Sequence, residues 1–233
     1  MRENRLASDG GYGAIFFDLD GTLVDTAPDM VAILNNMQDA RRQPRLPYDI
    51  ARNSVSNGAA GLLRLGFPDA NDDEIDLLLV EYLDKYKSAV CVNSRVFDPL
   101  RDLLQVFKEN QRIWGIVTNK PTRMTEPLLS QLDLQRDAVC VICGDTLAER
   151  KPHPAPLLHA AELAGVDPEN AVYVGDAARD IEAGRAAGMA TVAAGYGYIT
   201  KGDNPIDWGA DEYVTDTMAL MALLLRAVDL ESP

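Results

Sequence analysis

The sequence predicts an α/β fold: a parallel sheet covered on both faces by helices, with one helical insertion. Three observations predict it. Short apolar runs end abruptly in polar residues; amphipathic stretches with helix punctuation separate them; and a block at about 27–96 breaks the alternation with helical spacing alone. Strands that alternate with helices pair in parallel and are buried on both faces, so they read as continuous apolar runs.

The first run, Ala14-Ile15-Phe16-Phe17, stops at Asp18-Leu19-Asp20-Gly21-Thr22, the pattern of a buried strand delivering polar side chains to its C-terminal edge. Residues 113–117 run into Thr118-Asn119 in the same way, 138–142 into Gly144-Asp145, and 171–174 into Gly175-Asp176. Residues 190–194, ending at Gly195, make a fifth strand, and 212–215 a weaker edge strand. Between them, Asp98-Pro99 reads as an N-cap followed by proline at the first helical position, opening a helix through about Glu109. Residues 122–132, 154–164 and 178–187 read as helices, with Gly165 and Gly188 as C-terminal stops.

The block at 27–96 reads as several helices with no buried strand among them. Ile75, Leu78, Leu79, Tyr82, Leu83 and Tyr86 recur at three- and four-residue spacing, as one buried helix face requires. The expected organisation is a discontinuous core, 13–26 plus 97–226, with an inserted helical module at 27–96. The insertion starts just after the first strand's polar loop, so it is expected to lie as a lid over the strand ends where open α/β sheets bind ligands.

A chain of 233 residues accommodates such a core and module, and its formal charge of -14 disfavours a nucleic-acid surface, which needs Lys and Arg to neutralise phosphates. A small phosphate ester is still accessible to an acidic protein if a metal ion and a few lysines reverse the potential locally. Residues 1–11 lack the apolar core of a secretory signal and 218–225 are too short to cross a bilayer, so no membrane partner is expected and the location is read as cytoplasmic. The polar extension before Tyr12 reads as a tail. Cys140 and Cys143 have no second pair to complete a zinc site and sit among Val139, Val141 and Ile142, which reads as a buried strand.

The chemistry gathers at the strand ends. Asp18 and Asp20 are one residue apart, so in extended geometry both carboxylates point the same way and are expected to share a hard divalent cation such as Mg²⁺. One carboxylate can attack a phosphoryl group while the other protonates the leaving oxygen and later activates water. Thr118 and Asn119 can donate to phosphate oxygens, Lys151 supplies a compact cation, and Asp176 and Asp180 can add acidic groups near the metal. Each also has a plainer use. Thr118-Asn119 can cap the following helix, Lys151 can lie on the surface, and the two aspartates can favour a helix N-terminus. Their joint occurrence in one order at strand ends or connecting loops argues for a shared site.

With these residues in view, the sequence resembles the haloacid dehalogenase (HAD) superfamily of phosphohydrolases. Residues 16–25, beginning Phe16-Phe17-Asp18, resemble its first motif, Val117-Thr118-Asn119 its second, Lys151-Pro152 its third and 174–180, from Val174 to Asp180, its fourth. The resemblance spans about residues 13–226 and implies a Rossmann-like core with a helical cap. It implies that Asp18 is the nucleophile and a metal ligand, that Asp20 is the general acid/base and binds Mg²⁺ through its backbone carbonyl, and that Asp176 is the third protein ligand. It further implies that Thr118, Asn119 and Lys151 hold the phosphoryl group while Asp180 orients Lys151 or a metal-bound water. The dehalogenase branch lacks a carboxylate at the position of Asp20, so its presence implies phosphate chemistry.

Within the superfamily, Asp25-Thr26-Ala27-Pro28-Asp29, Thr118-Asn119-Lys120-Pro121, Lys151-Pro152-His153-Pro154 and Tyr196-Gly197-Tyr198-Ile199 are similar to phosphoglycolate phosphatases and to N-acetylmuramic acid 6-phosphate phosphatases alike. Trp114 and the stretches 197–205 and 208–211 look more like the second branch. Ser56-Asn57-Gly58-Ala59 lies where the family places a specificity loop, with Asn57 and Gly58 the candidate specificity residues; an ordinary turn and helix start would read the same. The expected partner is a small phosphorylated metabolite, for a monomer or homodimer. Two other functions use the same residues: a sugar phosphomutase that returns the phosphoryl group to its bound intermediate, and a non-catalytic protein that only binds a phosphorylated ligand.

Overall fold

The computed structural model describes residue 6 and residues 11–230. Apart from Leu6 and Gly11, the polar extension ahead of Tyr12 lies outside the described residues. Six parallel strands form one sheet in the order β5-β4-β1-β6-β7-β8: β1 (Ala14–Phe17), β4 (Ile113–Val117), β5 (Val141–Ile142), β6 (Ala171–Gly175), β7 (Ala190–Ala194) and β8 (Glu212–Val214). The predicted α/β class holds. Alternate residues explain the continuous apolar runs, because Ile15, Phe17, Val172 and Val174 join one core cluster while Ala14, Phe16 and Tyr173 join the other. Helices α5 (Leu100–Glu109), α6 (Thr122–Gln131) and α9 (Thr217–Ala227) contribute to the first cluster, and α7 (Ala155–Ala164) and α8 (Ala178–Ala187) to the second. Each fully buried Phe or Ile in these layers is worth about 1.5–3 kcal/mol.

Chain direction across this sheet creates the site. From β1 the chain crosses to β4 and β5 on one side, then returns to β6, β7 and β8 on the other. Strands β4 and β6 both flank β1, at registers Phe17↔Ile116 and Phe17↔Val174, so their connections leave in opposite directions and open a crevice beyond their C-terminal ends.

Four helices, α1 (Ala27–Ala40), α2 (Tyr48–Arg52), α3 (Gly58–Gly66) and α4 (Asp72–Lys87), lie between β2 (Val24–Asp25) and β3 (Arg95–Val96). Strands β2 and β3 pair antiparallel, so the chain leaves and re-enters through one short ribbon. Val96 is buried in it, which corrects the expectation that 27–96 holds no buried strand; two residues are too few to show a period. The carboxylate of Asp29 in the first turn of α1 holds the returning chain. It accepts from the backbone N–H groups of Val92, Asn93 and Ser94 at 2.8–3.0 Å, and from the Ser94 hydroxyl at 2.7 Å.

Two further expectations are corrected. Asp98 does not cap α5: the helix begins at Leu100, its first bonds run to the Phe97 and Pro99 carbonyls, and the Asp98 carbonyl accepts from the Thr217 hydroxyl instead. The strand expected over 138–142 is regular only at Val141–Ile142, in register Ile116↔Val141 and Val117↔Ile142, although the Val139 N–H donates to the Trp114 carbonyl and the Cys140 carbonyl accepts from the Ile116 N–H. Cys140 and Cys143 are buried and unpaired, and burial pushes the Cys140 thiol up to about 11. Gly165 and Gly188 end α7 and α8 in the left-handed conformation, at φ 67° and 84°.

Candidate active site

Asp18, Thr118 and Asp176 directly follow β1, β4 and β6, and the first two extend their ladders. The Asp18 N–H donates to the Val174 carbonyl at 2.9 Å and the Thr118 N–H to the Ile142 carbonyl at 2.8 Å. Gly21 turns the chain away at φ 81°, and a Cβ there would collide with the Asp176 carboxylate. The turn therefore excludes a side chain on both counts.

Lys151 is 2% exposed and points into this crevice. Its Nζ lies 2.9 Å from Asp18 Oδ1 and 2.8 Å from Asp180 Oδ1, and donates to the Val117 carbonyl and Tyr173 hydroxyl at 2.9 and 2.7 Å. Burial opposes its charge, but the Asp18 and Asp180 carboxylates outweigh burial and raise its pKa above the usual lysine value. Asn119 fixes the Lys151 backbone through a reciprocal pair, Nδ2 donating to the Lys151 carbonyl at 2.9 Å and Oδ1 accepting from its N–H at 3.1 Å. One amide hydrogen of Asn119 is engaged in this way. The Thr118 Oγ1 accepts from the Lys120 N–H at 3.2 Å and keeps its own proton to donate.

The carboxylates of Asp18, Asp176 and Asp180 offer ligand atoms within 4.8 Å of one another, all buried. Burial and the neighbouring charges of Asp18 and Asp180 push Asp176 up to about 7, even though it accepts from the Tyr198 N–H and the Ser56 hydroxyl, both at 2.8 Å. Burial likewise raises Asp180 despite Lys151. The Asp18 and Asp180 Oδ1 atoms face Lys151 but receive no directed hydrogen bond. Three buried oxygen donors short of positive charge fit a hard divalent cation. Asp180 also serves the plainer purpose, since its Oδ2 accepts from the Ala177 N–H at the start of α8 at 3.0 Å.

The Asp20 carboxylate is not one of these three, although Asp20 lines the same cavity as Asp18. Asp20 lies beyond the end of β1 in the turn, where two-residue alternation no longer governs direction. Its Oδ1 accepts from the Thr26 hydroxyl at 2.5 Å, and Lys120 Nζ stands 3.0 Å away. Burial works against the Lys120 ammonium, yet Asp20 and then Tyr86 raise its pKa overall. Burial pushes the Tyr86 hydroxyl up to about 12, partly offset by Lys120, so the phenol stays neutral.

Lys120, Tyr173, Tyr198 and Arg179 were given no role by the sequence, although Lys120, Tyr198 and Arg179 lie in segments that carry the family resemblance; Ser56 belongs to the stretch expected as a specificity loop. The Tyr198 hydroxyl accepts from the N–H groups of Thr26 and Ala27 at 2.7 and 2.9 Å and donates to Asp25 at 2.8 Å, holding the start of α1. Arg179 donates to the Ser56 carbonyl at 2.6 Å and so ties the turn before α3 to the Asp176 loop. A tyrosine inside the apolar run of β6 was a further sequence signal; a loop lysine reads by default as solvated. Asn57 and Gly58 do reach the site. They line a cavity of about 450 Å³ that has Asp18, Asp20 and Lys151 among its walls, with Tyr82 and Tyr86 of α4 alongside.

A family model for haloacid dehalogenase-like hydrolases matches residues 12–188. The chain belongs to that family. Among this hydrolase's relatives, an N-acetylmuramic acid 6-phosphate phosphatase of Pseudomonas aeruginosa is 41% identical over 92% of this chain and 96% of its own length. A phosphoglycolate phosphatase of Xanthomonas campestris pv. campestris is 44% identical over 86% and 91%. A solved structure from Haemophilus somnus 129pt, described as a predicted phosphoglycolate phosphatase, superposes with a TM-score of 0.78 at 26% identity, covering 91% of this chain and 99% of its own. A HAD-superfamily hydrolase of subfamily IA from Geobacter sulfurreducens PCA shares the fold at a TM-score of 0.70 and 23% identity, over 94% of this chain and 99% of its own.

Proposed function

We propose that this HAD-family phosphatase hydrolyses a phosphorylated sugar acid, N-acetylmuramic acid 6-phosphate, through a phosphorylated Asp18. The observation that carries the chemistry is the Asp18 carboxylate on the wall of the cavity, 2.9 Å from the buried ammonium of Lys151. Thr118, Asn119 and Lys151 hold the phosphoryl oxygens. Asp18 bonds to phosphorus as the ester P–O bond breaks, and Asp20 gives a proton to the leaving oxygen. In the second half Asp20 takes a proton from water, the water oxygen bonds to phosphorus, and the Asp18–P bond breaks to release orthophosphate. The Asp18 and Asp176 carboxylates and the Asp20 carbonyl would hold Mg²⁺, which when bound would neutralise charge at the phosphoryl oxygens. Residues 27–96 act as a cap over a core formed by 13–26 and 97–226, with Asn57 and Gly58 facing the leaving group.

The size of the cavity supports the sugar acid over phosphoglycolate. A space of about 450 Å³ exceeds what a two-carbon acid fills. Its apolar walls, Met30, Val55 and Leu83 with the rings of Tyr82 and Tyr86, suit the faces and acetyl group of an amino sugar. The test is Mg²⁺-dependent phosphate release from both compounds, with hexose phosphates and nucleotides as controls and Asp18→Asn as the inactive reference. A preference for phosphoglycolate would overturn the substrate; isomerisation without phosphate release, or binding alone, would overturn the hydrolysis.

A further inference from the structure

Lys120 follows Thr118 and Asn119 beyond β4 and turns inward, with 6% of its side chain exposed. Its Nζ lies 3.0 and 3.3 Å from the two oxygens of Asp20 and 3.1 Å from the Tyr86 hydroxyl, and it sits 4.8 Å from the centre of the Tyr86 ring. One ammonium thus joins two separate elements, the turn after β1 and the helix α4. The cation beside Asp18 is already supplied by Lys151, so phosphoryl binding does not account for Lys120. A buried ammonium costs several kcal/mol unless it is paired, and here its carboxylate partner is Asp20. A lysine on a flexible four-carbon stem has many rotamers, and the Tyr86 ring and hydroxyl restrict it to the one that reaches Asp20.

We propose that Lys120 is a positioning residue for Asp20 and that Tyr86 of α4 sets Lys120, so that seating α4 on the core aims the acid/base carboxylate at the leaving oxygen. The inference rests on the reading of Asp20 as acid/base. Its consequence depends on the leaving group. With a sugar phosphate, the electron pair of the breaking P–O bond passes to an alkoxide-like oxygen that needs the proton of Asp20. With p-nitrophenyl phosphate, the same electron pair leaves on a stable phenolate that needs no proton. A misdirected Asp20 slows both half-reactions for the sugar phosphate. For the aryl ester it slows only the second, in which Asp20 takes the proton from water.

The experiment is rapid-mixing and steady-state kinetics with Mg²⁺ on both substrates, using wild type, Asp20→Asn, Lys120→Met, Tyr86→Phe and the double variant. Lys120→Met is expected to lose on the order of 10²-fold in kcat on the sugar phosphate with KM little changed. On the aryl ester it should release a burst of one p-nitrophenolate per site before slow turnover, as Asp20→Asn does. Tyr86→Phe should lose roughly 3–10-fold in kcat and add nothing in the double variant, because both residues act through one contact chain. A raised KM at unchanged kcat would make Lys120 a substrate-binding group, and equal losses on both substrates without a burst would make it structural; either overturns the inference. Should Lys120→Met fail to fold, Tyr86→Phe removes only a hydroxyl, and an unchanged kcat in that variant overturns the coupling. If wild type is inactive on both substrates the phosphatase reading fails and takes this inference with it. A burst in Asp20→Asn but not in Lys120→Met sinks this inference alone.

Discussion

Asn at position 18 keeps the shape of the side chain and removes the nucleophilic oxygen, so Asp18→Asn separates chemistry from folding. We expect it to abolish phosphate release while the far-ultraviolet dichroism and the cooperative melt persist; substantial turnover would sink the nucleophile assignment. Lys151 behaves differently because it balances Asp18 and Asp180 in a place with almost no water. Lys151→Met leaves those carboxylates uncompensated, and losing one partner of a buried pair costs about 3–5 kcal/mol. Urea unfolding in EDTA should show a loss of that order, and added Mg²⁺ should recover part of it.

At the scale of elements, the ribbon β2–β3 and the Asp29 clamp determine where the chain between them returns to the core. Asp29→Ala strands the buried N–H of Ser94 together with those of Val92 and Asn93, and unsatisfied donors of this kind cost about 1–3 kcal/mol each when fully buried. At the exposed end of α4, Asn71 accepts from the Glu74 N–H while Glu74 accepts from the Asn71 N–H. Removing that capping box by Asn71→Ala should cost only about 1 kcal/mol. Denaturant midpoints should therefore fall further for Asp29→Ala than for Asn71→Ala, and kcat should be unchanged in the Asn71 variant. The reverse order would mean that the clamp contributes little to stability.

For the whole molecule, the question is how a chain of net charge -14 accepts a phosphate ester. Asp18, Asp20, Asp176 and Asp180 meet Lys120, Lys151 and Arg179 around the site, so the carboxylates outnumber the cations until a dication is added. Without metal, Asp176 stands at about 7 in the folded chain against about 3.9 in an unfolded one. Between those values the native state holds a proton that the unfolded chain has released. This contribution to stability is therefore fully present below the unfolded value and is lost as the pH rises through about 7. Mg²⁺ competes with that proton, so the rise in Tm on adding Mg²⁺ should be larger at about pH 8 than at about pH 5.5. Thermal melts with Mg²⁺ and with EDTA at both pH values check this, and an equal rise would argue against Asp176 as a ligand.

What could be read along the chain is what is local or periodic. The runs at 14–17, 113–117 and 171–174 are apolar throughout, and 190–194 but for Thr191, because both faces of a parallel sheet are buried; the polar residues after the first three mark the crevice. Gly165 and Gly188 stop helices because only glycine takes the left-handed angle without cost. Short or unperiodic features were not readable: the two-residue ribbon at β2 and β3, the truncated edge at Val141–Ile142, and the start of α5 after Pro99. The pairing of Asp20 with Lys120 and the burial of Lys120 were decided by tertiary structure alone. A carboxylate past the end of a strand turns toward whichever cation the fold brings near, and a lysine stays charged out of water only where distant segments supply its partners. Here those segments are the turn at Asp20 and the helix at Tyr86, which only packing brings together.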